Sequence, residues 1–246
     1  NRYKKKIVIN EAGKLFLNHV DIILEMVEDL QHTMNQFSRK ENTFVVGFVE
    51  SSPMWFFQSK WISEEGTDSL DCKIVPHNED VENLILSGTF DAVVTITPIK
   101  SNELCCKHLI DDVELLAVPH YSPLANKASA SVKNDKILKM ALYYIDNYFY
   151  YKHMEYYKSL YPSPEIISFP SLPSLLQYSC ESDVPILASM LSVPHHPEFK
   201  ERKVLVLEDE ELLMRYYIVY RKKARVNRLI EYFVKRADEA ADYLLL

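Results

Sequence analysis

Glycine is scarce in this chain of 246 residues, with only four. So few leave little material for a loop that wraps a phosphate, and neither a Walker loop nor a GxGxxG fingerprint is present. Cysteine is equally sparse. Cys72, Cys105, Cys106 and Cys180 form no CxxC pair and no disulfide-framework spacing. Cys105-Cys106 with His108 is the one grouping that suggests a metal or redox site. Neighbouring side chains on a strand point to opposite faces and do not easily grip one ion, so buried free thiols are expected, with no metal and no cofactor. His195-His196, between Pro194 and Pro197, is expected in a solvated turn. There is no GxSxG, no HExxH and no convergent acid–base or nucleophile set, so the chain is not expected to be an enzyme. No apolar run approaches the ~20 residues that span a bilayer, and no basic-then-apolar leader is seen; the expectation is no membrane and a cytoplasmic location. Positive charge is also short. The formal net charge of −7 argues against this portion wrapping nucleic acid, which needs a basic face.

What is present is ordinary material for a packed core, with 48% hydrophobic and 26% charged residues. Near the N-terminus that material is arranged with a period. Phe16, Val20, Ile23, Val27, Leu30, Met34 and Phe37 fall at alternating steps of four and three, the 3.5-residue repeat of a helix that pairs with another. Leu15, Leu17, Ile22 and Leu24 widen the stripe beyond a two-stranded seam. The alternative is an amphipathic helix lying on its own domain, and the width fits a helix that touches both a partner and a domain surface. Asn10 suits the N-cap, and Glu11 places negative charge in the first turn.

After a polar break at 38–42, Phe44–Val49 reads as a short buried strand. A helical stretch near Pro53, a strand at 72–76, a helix at 78–88 and a strand at 91–96 follow. This β-α-β-α-β alternation predicts a parallel sheet with helices on its faces. Residues 112–118 then carry the chain into a second subdomain, with strands at 141–145 and 165–169 and helices near 148–160 and 172–181. Tyr216–Tyr220 returns to the first, and a helix over 224–244 closes the chain.

Four segments resemble the LysR-type transcriptional regulators. Ile9-Asn10-Glu11-Ala12-Gly13 is similar to the "LTEAG" that opens their linker helix, with Asn10 in place of Thr. Phe44-Val45-Val46-Gly47 is similar to the "LRIG" strand, and Leu86–Val94 to "LLSGELDLAI". Glu114–Ala125 is similar to the "LVLVxPxxHPLA" crossover. The resemblance spans essentially the whole chain in the right order. It departs in the second lobe, where the usual "AGLGIALLP" reads Glu181–Ser189 with both glycines lost and Pro185 at the strand start.

The resemblance implies a two-lobed α/β fold of the type 2 periplasmic-binding-protein kind with two crossovers, preceded by a long N-terminal linker helix. The divisions expected are a wing remnant at 1–9, a dimerising linker helix at 10–40, subdomain I at 43–117 and 212–246, and subdomain II at 118–211. It implies an effector-sensing regulatory domain for transcription, a homo-oligomer (dimer or tetramer), and contact with DNA through a winged helix-turn-helix ahead of Arg2. Lys4, Lys5 and Lys6 would be the trailing edge of that wing, touching phosphate. A stand-alone solute-binding protein of the same fold is the alternative, with a secretion signal and no dimerising helix as its marks.

In such sheets small ligands bind beyond the carboxyl ends of the strands, where helix N-termini present N–H groups. Ser51 and Ser52 stand at that position after the first strand, either as effector-binding hydroxyls or as plain N-caps. Thr95 and Thr97 end the third strand. Asp146, Asn147 and Tyr148 follow a strand of the second lobe, and Ser171 opens a helix there. Together they predict a small polar, anionic effector between the lobes, with Asp146 better suited to an amine or sugar group. Nine tyrosines between Tyr143 and Tyr178 either line that cleft or pack helices and strands.

Overall fold

The computed structural model describes residues 9–37, 43–59, 61, 69–76, 79–143, 148–222, 224 and 226–243. Lys4, Lys5, Lys6, Asp146 and Asn147 lie outside the described residues.

Helix α1 (Glu11–Phe37) begins as its sequence predicts, with Asn10 Oδ1 accepting from the Gly13 amide at 2.8 Å. Its apolar stripe is largely bare. Among its described side chains Phe16, Ile23, Val27, Leu30 and Met34 are exposed, as are the flanking Leu15, Leu17, Ile22 and Leu24, and Val20 is half-buried; the side chain of Phe37 lies outside those described. The helix therefore does not bury its seam on its own domain, although it touches α3 (Val81–Leu86).

The first lobe is a five-stranded sheet in the order β2-β1-β3-β11-β4. Its parallel part is β1 (Thr43–Phe48), β2 (Ser69–Ile74) and β3 (Ala92–Thr95), with α2 (Ser51–Gln58) and α3 as connections. The remaining pair, β4 (Leu104–Asp112) and β11 (Met214–Arg221), is antiparallel. Gly47 is required by a close approach, because a Cβ there would meet Val75 Cγ2 at 2.6 Å. Gly88, at φ 73, takes the left-handed turn that ends α3 short of the expected 78–88. At the other end Asp80 caps the helix by accepting from the Asn83 amide. Helix α6 (Asn227–Tyr243) closes the core through an aromatic cluster: Phe233 stacks on Phe57 at 4.6 Å, and Tyr232 packs edge-on to Trp61 at 4.7 Å.

The second lobe is a six-stranded sheet in the order β6-β10-β5-β9-β7-β8. Its strands are β5 (Glu114–Val118), β6 (Ser129–Ala130), β7 (Lys139–Tyr143), β8 (Glu165–Phe169), β9 (Ile186–Ser189) and β10 (Lys203–Leu207). Helices α4 (Tyr148–Leu160) and α5 (Leu172–Glu181) cover it. The chain changes sheet twice, at Val113 between β4 and β5 and again over 208–213 between β10 and β11. The first change comes one strand earlier than a division at 117/118, because all of β5 pairs with β9 and β10. Pro185 is accommodated at the head of β9 because only its carbonyl is used, accepting from the Ala141 amide at 2.8 Å. Among the described residues no helix is long and apolar enough to cross a membrane.

Candidate functional site

A small cavity of about 50 Å³ opens where the carboxyl ends of the two sheets face each other. The first lobe supplies Glu50, Ser51, Ser52 and Trp55. The second supplies Tyr143, Phe149, Leu172, Leu175, Phe199 and the segment Leu187–Ser189 with Ser192. Local sequence explains the first wall. β1 is buried and apolar through Phe48, the backbone is still extended at Glu50 (φ −137, ψ 148), and α2 starts at Ser51. Ser51 and Ser52 are thus the first two residues of α2, half-buried and facing the cavity, and neither is its N-cap.

The other expected site residues scatter. Thr95 and Thr97 line a separate opening beside Val49, Asp80 and Ile99. Thr95 is buried, and its hydroxyl accepts from the Thr97 amide at 3.4 Å. Ser171 caps α5 by accepting from the Ser174 amide at 3.2 Å, while its neighbours Leu172 and Leu175 line the cavity. Tyr148 is the first residue of α4. The structure therefore brings Ser51 and Ser52 to the start of α5 and leaves Thr95 and Thr97 outside.

The tyrosines divide mainly toward packing. Tyr143 lines the cavity, but Tyr157 is fully buried, Tyr156 donates to Asp209 at 2.7 Å and Tyr161 to the Val132 carbonyl at 2.6 Å. His195 and His196 are not solvated either. They are half-buried against Phe56 and Trp55, at centroid distances of 6.3 and 5.6 Å, and burial lowers both pKa values. The four cysteines are free thiols, and among the described residues no group of His, Cys, Asp and Glu could hold a metal ion.

Sequence reasoning missed the acidic group behind the cavity. Glu50 reaches across the cleft, where its Oε1 accepts from the Phe149 amide at 3.1 Å, in the first turn of α4. Asp112 and Glu114 flank the crossover at Val113 and are essentially inaccessible. Asp112 accepts from the Ser189 hydroxyl at 2.7 Å and the Leu191 amide at 3.3 Å. Neither oxygen of Glu114 has a hydrogen-bond partner, although His153 Nε2 stands 3.8 Å away. His153 Nδ1 donates to the Phe149 carbonyl at 2.6 Å, which leaves Nε2 as the bare nitrogen of a neutral ring.

Burial dominates the electrostatics of this group. It pushes Glu50 up to about 8, the Phe149 amide pulling the other way. It pushes Asp112 up to about 7 against the bonds from Ser189 and Leu191. Glu114 is raised well above the usual range, first by burial and then by the charge of Asp112. His153 is lowered to about 4 by burial. The legible signal was a run of acids, Asp111, Asp112 and Glu114, inside the otherwise apolar stretch Leu109–Val118.

Residues 69–242 match the family of LysR substrate binding domains. Solved structures of similar shape include a full-length OxyR variant from Pseudomonas aeruginosa, at 14% identity and a TM-score of 0.58, covering 96% of this chain and 83% of that one. A full-length BenM variant aligns over 99% of this chain and 82% of its own, at 13% identity and a TM-score of 0.57. The regulatory domain of MetR from N. meningitidis, at 12% identity and a TM-score of 0.57, covers 82% of this chain and 94% of its own. At such identities the likeness is one of fold. No curated protein sequence matches the chain.

Proposed function

Because the chain belongs to the family of LysR substrate binding domains, we propose that it is the effector-sensing regulatory part of a LysR-type transcriptional regulator, which binds a small polar metabolite between its lobes. One observation carries this reading. Among the described residues the chain passes between the two sheets twice, and the cavity takes its walls from both lobes, so a ligand held there ties one lobe to the other. Ser51 and Ser52 are placed to hydrogen-bond it at the start of α2. A ligand that prefers one lobe arrangement shifts the population toward that arrangement. Helix α1 is the route outward. Its bare stripe from Phe16 through Met34 supports pairing with a second copy, and the expected winged DNA-binding head lies at its N-terminal side. On this reading the protein is not an enzyme and contacts DNA through that head.

The test is a thermal-shift screen of metabolites, followed by calorimetry on the strongest hit. Ser52→Trp fills the cavity from the first lobe and is expected to abolish binding while leaving the far-UV circular dichroism unchanged. Undiminished affinity in a folded Ser52→Trp protein places the ligand elsewhere.

A further inference from the structure

The short 3-10 turns after β9, Val193–His195 and Pro197–Glu201, lie between two strands of the second lobe, yet they pack against the first. Just ahead of them Met190 and Leu191 join the apolar core of the first lobe. His195 and His196 extend that contact along α2, edge-on to Phe56 and Trp55 at 6.3 and 5.6 Å. His196 also packs on Phe199 at 6.4 Å, so its ring joins two residues that line the cavity, one from each lobe. We propose that these two histidines form a proton-operated latch on the effector cleft: neutral rings hold the lobes packed, and protonation releases them. The proposal rests on the reading of the cleft as the effector site and gives that site a regulator.

Two observations carry it. The Nε2 atoms of both rings are buried with no hydrogen-bond partner. A buried nitrogen without a partner costs free energy that a phenyl ring in the same place would not. Packing alone therefore does not account for two histidines at this contact, whereas a ring that takes up a proton does. The second observation is the setting of the charge that protonation creates. Helix α2 carries no charged residue to receive it. From α6, Arg236 stands 4.6 Å from the centre of the Phe56 ring that His195 also touches, and it is paired with Glu239 at 2.5 Å. The guanidinium repels a proton on His195, and each protonated histidine repels the other. Glu198, from the segment itself, is the group that favours a proton on His196. Burial is the leading influence on both rings and lowers both pKa values. The packed arrangement therefore binds fewer protons than the released one. It is favoured above the ordinary histidine value of about 6.5 and weakens below it, by up to about tenfold per histidine for each pH unit.

The isotope-labelled full chain tests the latch with no ligand present. Imidazole nitrogen shifts give the pKa of each histidine, and residual dipolar couplings give the orientation of one sheet relative to the other at about pH 7.5 and about pH 5.5. His195→Phe with His196→Phe keeps a ring at both places and removes the titrating nitrogens. His195→Gln with His196→Gln serves if that pair does not fold. The buried acids Glu50 and Asp112 are common to all these proteins, so the comparison isolates the histidines. The expected result is that both histidines titrate below about 6.5 and that the sheets of the wild type change orientation between the two pH values. The folded double variant is expected to keep one orientation at both. An unchanged orientation in the wild type overturns the proposal, as does an equal change in the double variant. Titration of either histidine at or above about 6.5 also overturns it. Each of these outcomes leaves the effector cleft standing, because the cleft itself falls only on undiminished metabolite binding by Ser52→Trp.

Discussion

Asp112 accepts hydrogen bonds from the Ser189 hydroxyl and the Leu191 amide at the point where the chain passes between sheets. Removing that carboxyl strands the buried Ser189 hydroxyl and leaves the Leu191 amide with the Ser189 oxygen alone. Asp112→Ala is expected to lower stability by about 1–3 kcal/mol, and Asp112→Asn by less, since its amide oxygen still accepts. Urea unfolding of the three proteins measures this, and equal stability of wild type and Asp112→Ala would remove the crossover role. Ser51 and Ser52 were legible because a strand end followed by Ser-Ser-Pro marks a helix start at the ligand-binding edge of a sheet. Glu50, one residue earlier, was not. Its role depends on the Phe149 amide, 99 positions away in sequence, and no local pattern encodes that partner. Thr95 stands apart from this cavity for a related reason: its hydroxyl accepts from the Thr97 amide at its own strand end.

Helix α1 is the element whose apolar face has the least to rest on. The heptad in the sequence gave its span, and the structure adds that Ile23, Val27, Leu30 and Met34 lie bare. Charges placed on that stripe cost the isolated chain little but bury unpaired charge in a paired helix. Val20→Glu with Val27→Glu is therefore expected to shift sedimentation from dimer toward monomer at micromolar concentration. A wild-type chain that sediments as a monomer contradicts the linker role. Other elements were less readable. β10, the alternating stretch Lys203–Leu207, has two buried leucines, but its place beside β5 is set by an antiparallel partner distant in sequence. Helix α3 spans only Val81–Leu86, because the Asp80 cap and the left-handed Gly88 hold its ends.

For the whole molecule, the buried acids at the junction of the lobes set a pH dependence. Glu50 at about 8 and Asp112 at about 7 hold protons in the folded state that the unfolded chain, with ordinary carboxyls, has released. Stability therefore falls as pH rises through those values. His153, lowered to about 4, acts oppositely, but only below the ordinary histidine value near 6.5. His195 and His196, lowered by the same burial, act in the same sense as His153, and between pH 6.5 and 8 the acids outweigh the remaining histidine effect. The protein is expected to lose about 1–2 kcal/mol over that interval, and Glu50→Gln is expected to flatten the slope. A stability that is level or rising over the interval in the wild type contradicts the buried cluster. The same acidity bears on DNA: with a net charge of −7, this chain alone is expected to hold a duplex weakly at physiological salt, measured by fluorescence anisotropy. The two-lobed layout was legible from alternating strands and helices, whereas the contents of the cleft depend on which loops the crossovers bring together. The most direct test of the account is an NMR titration of the isotope-labelled chain with the strongest hit of the metabolite screen. The account predicts amide shifts concentrated at Glu50–Trp55, Phe149 and Leu187–Ser189, from both lobes at once. Shifts confined to the separate opening at Thr95–Thr97, or to one lobe alone, would contradict it.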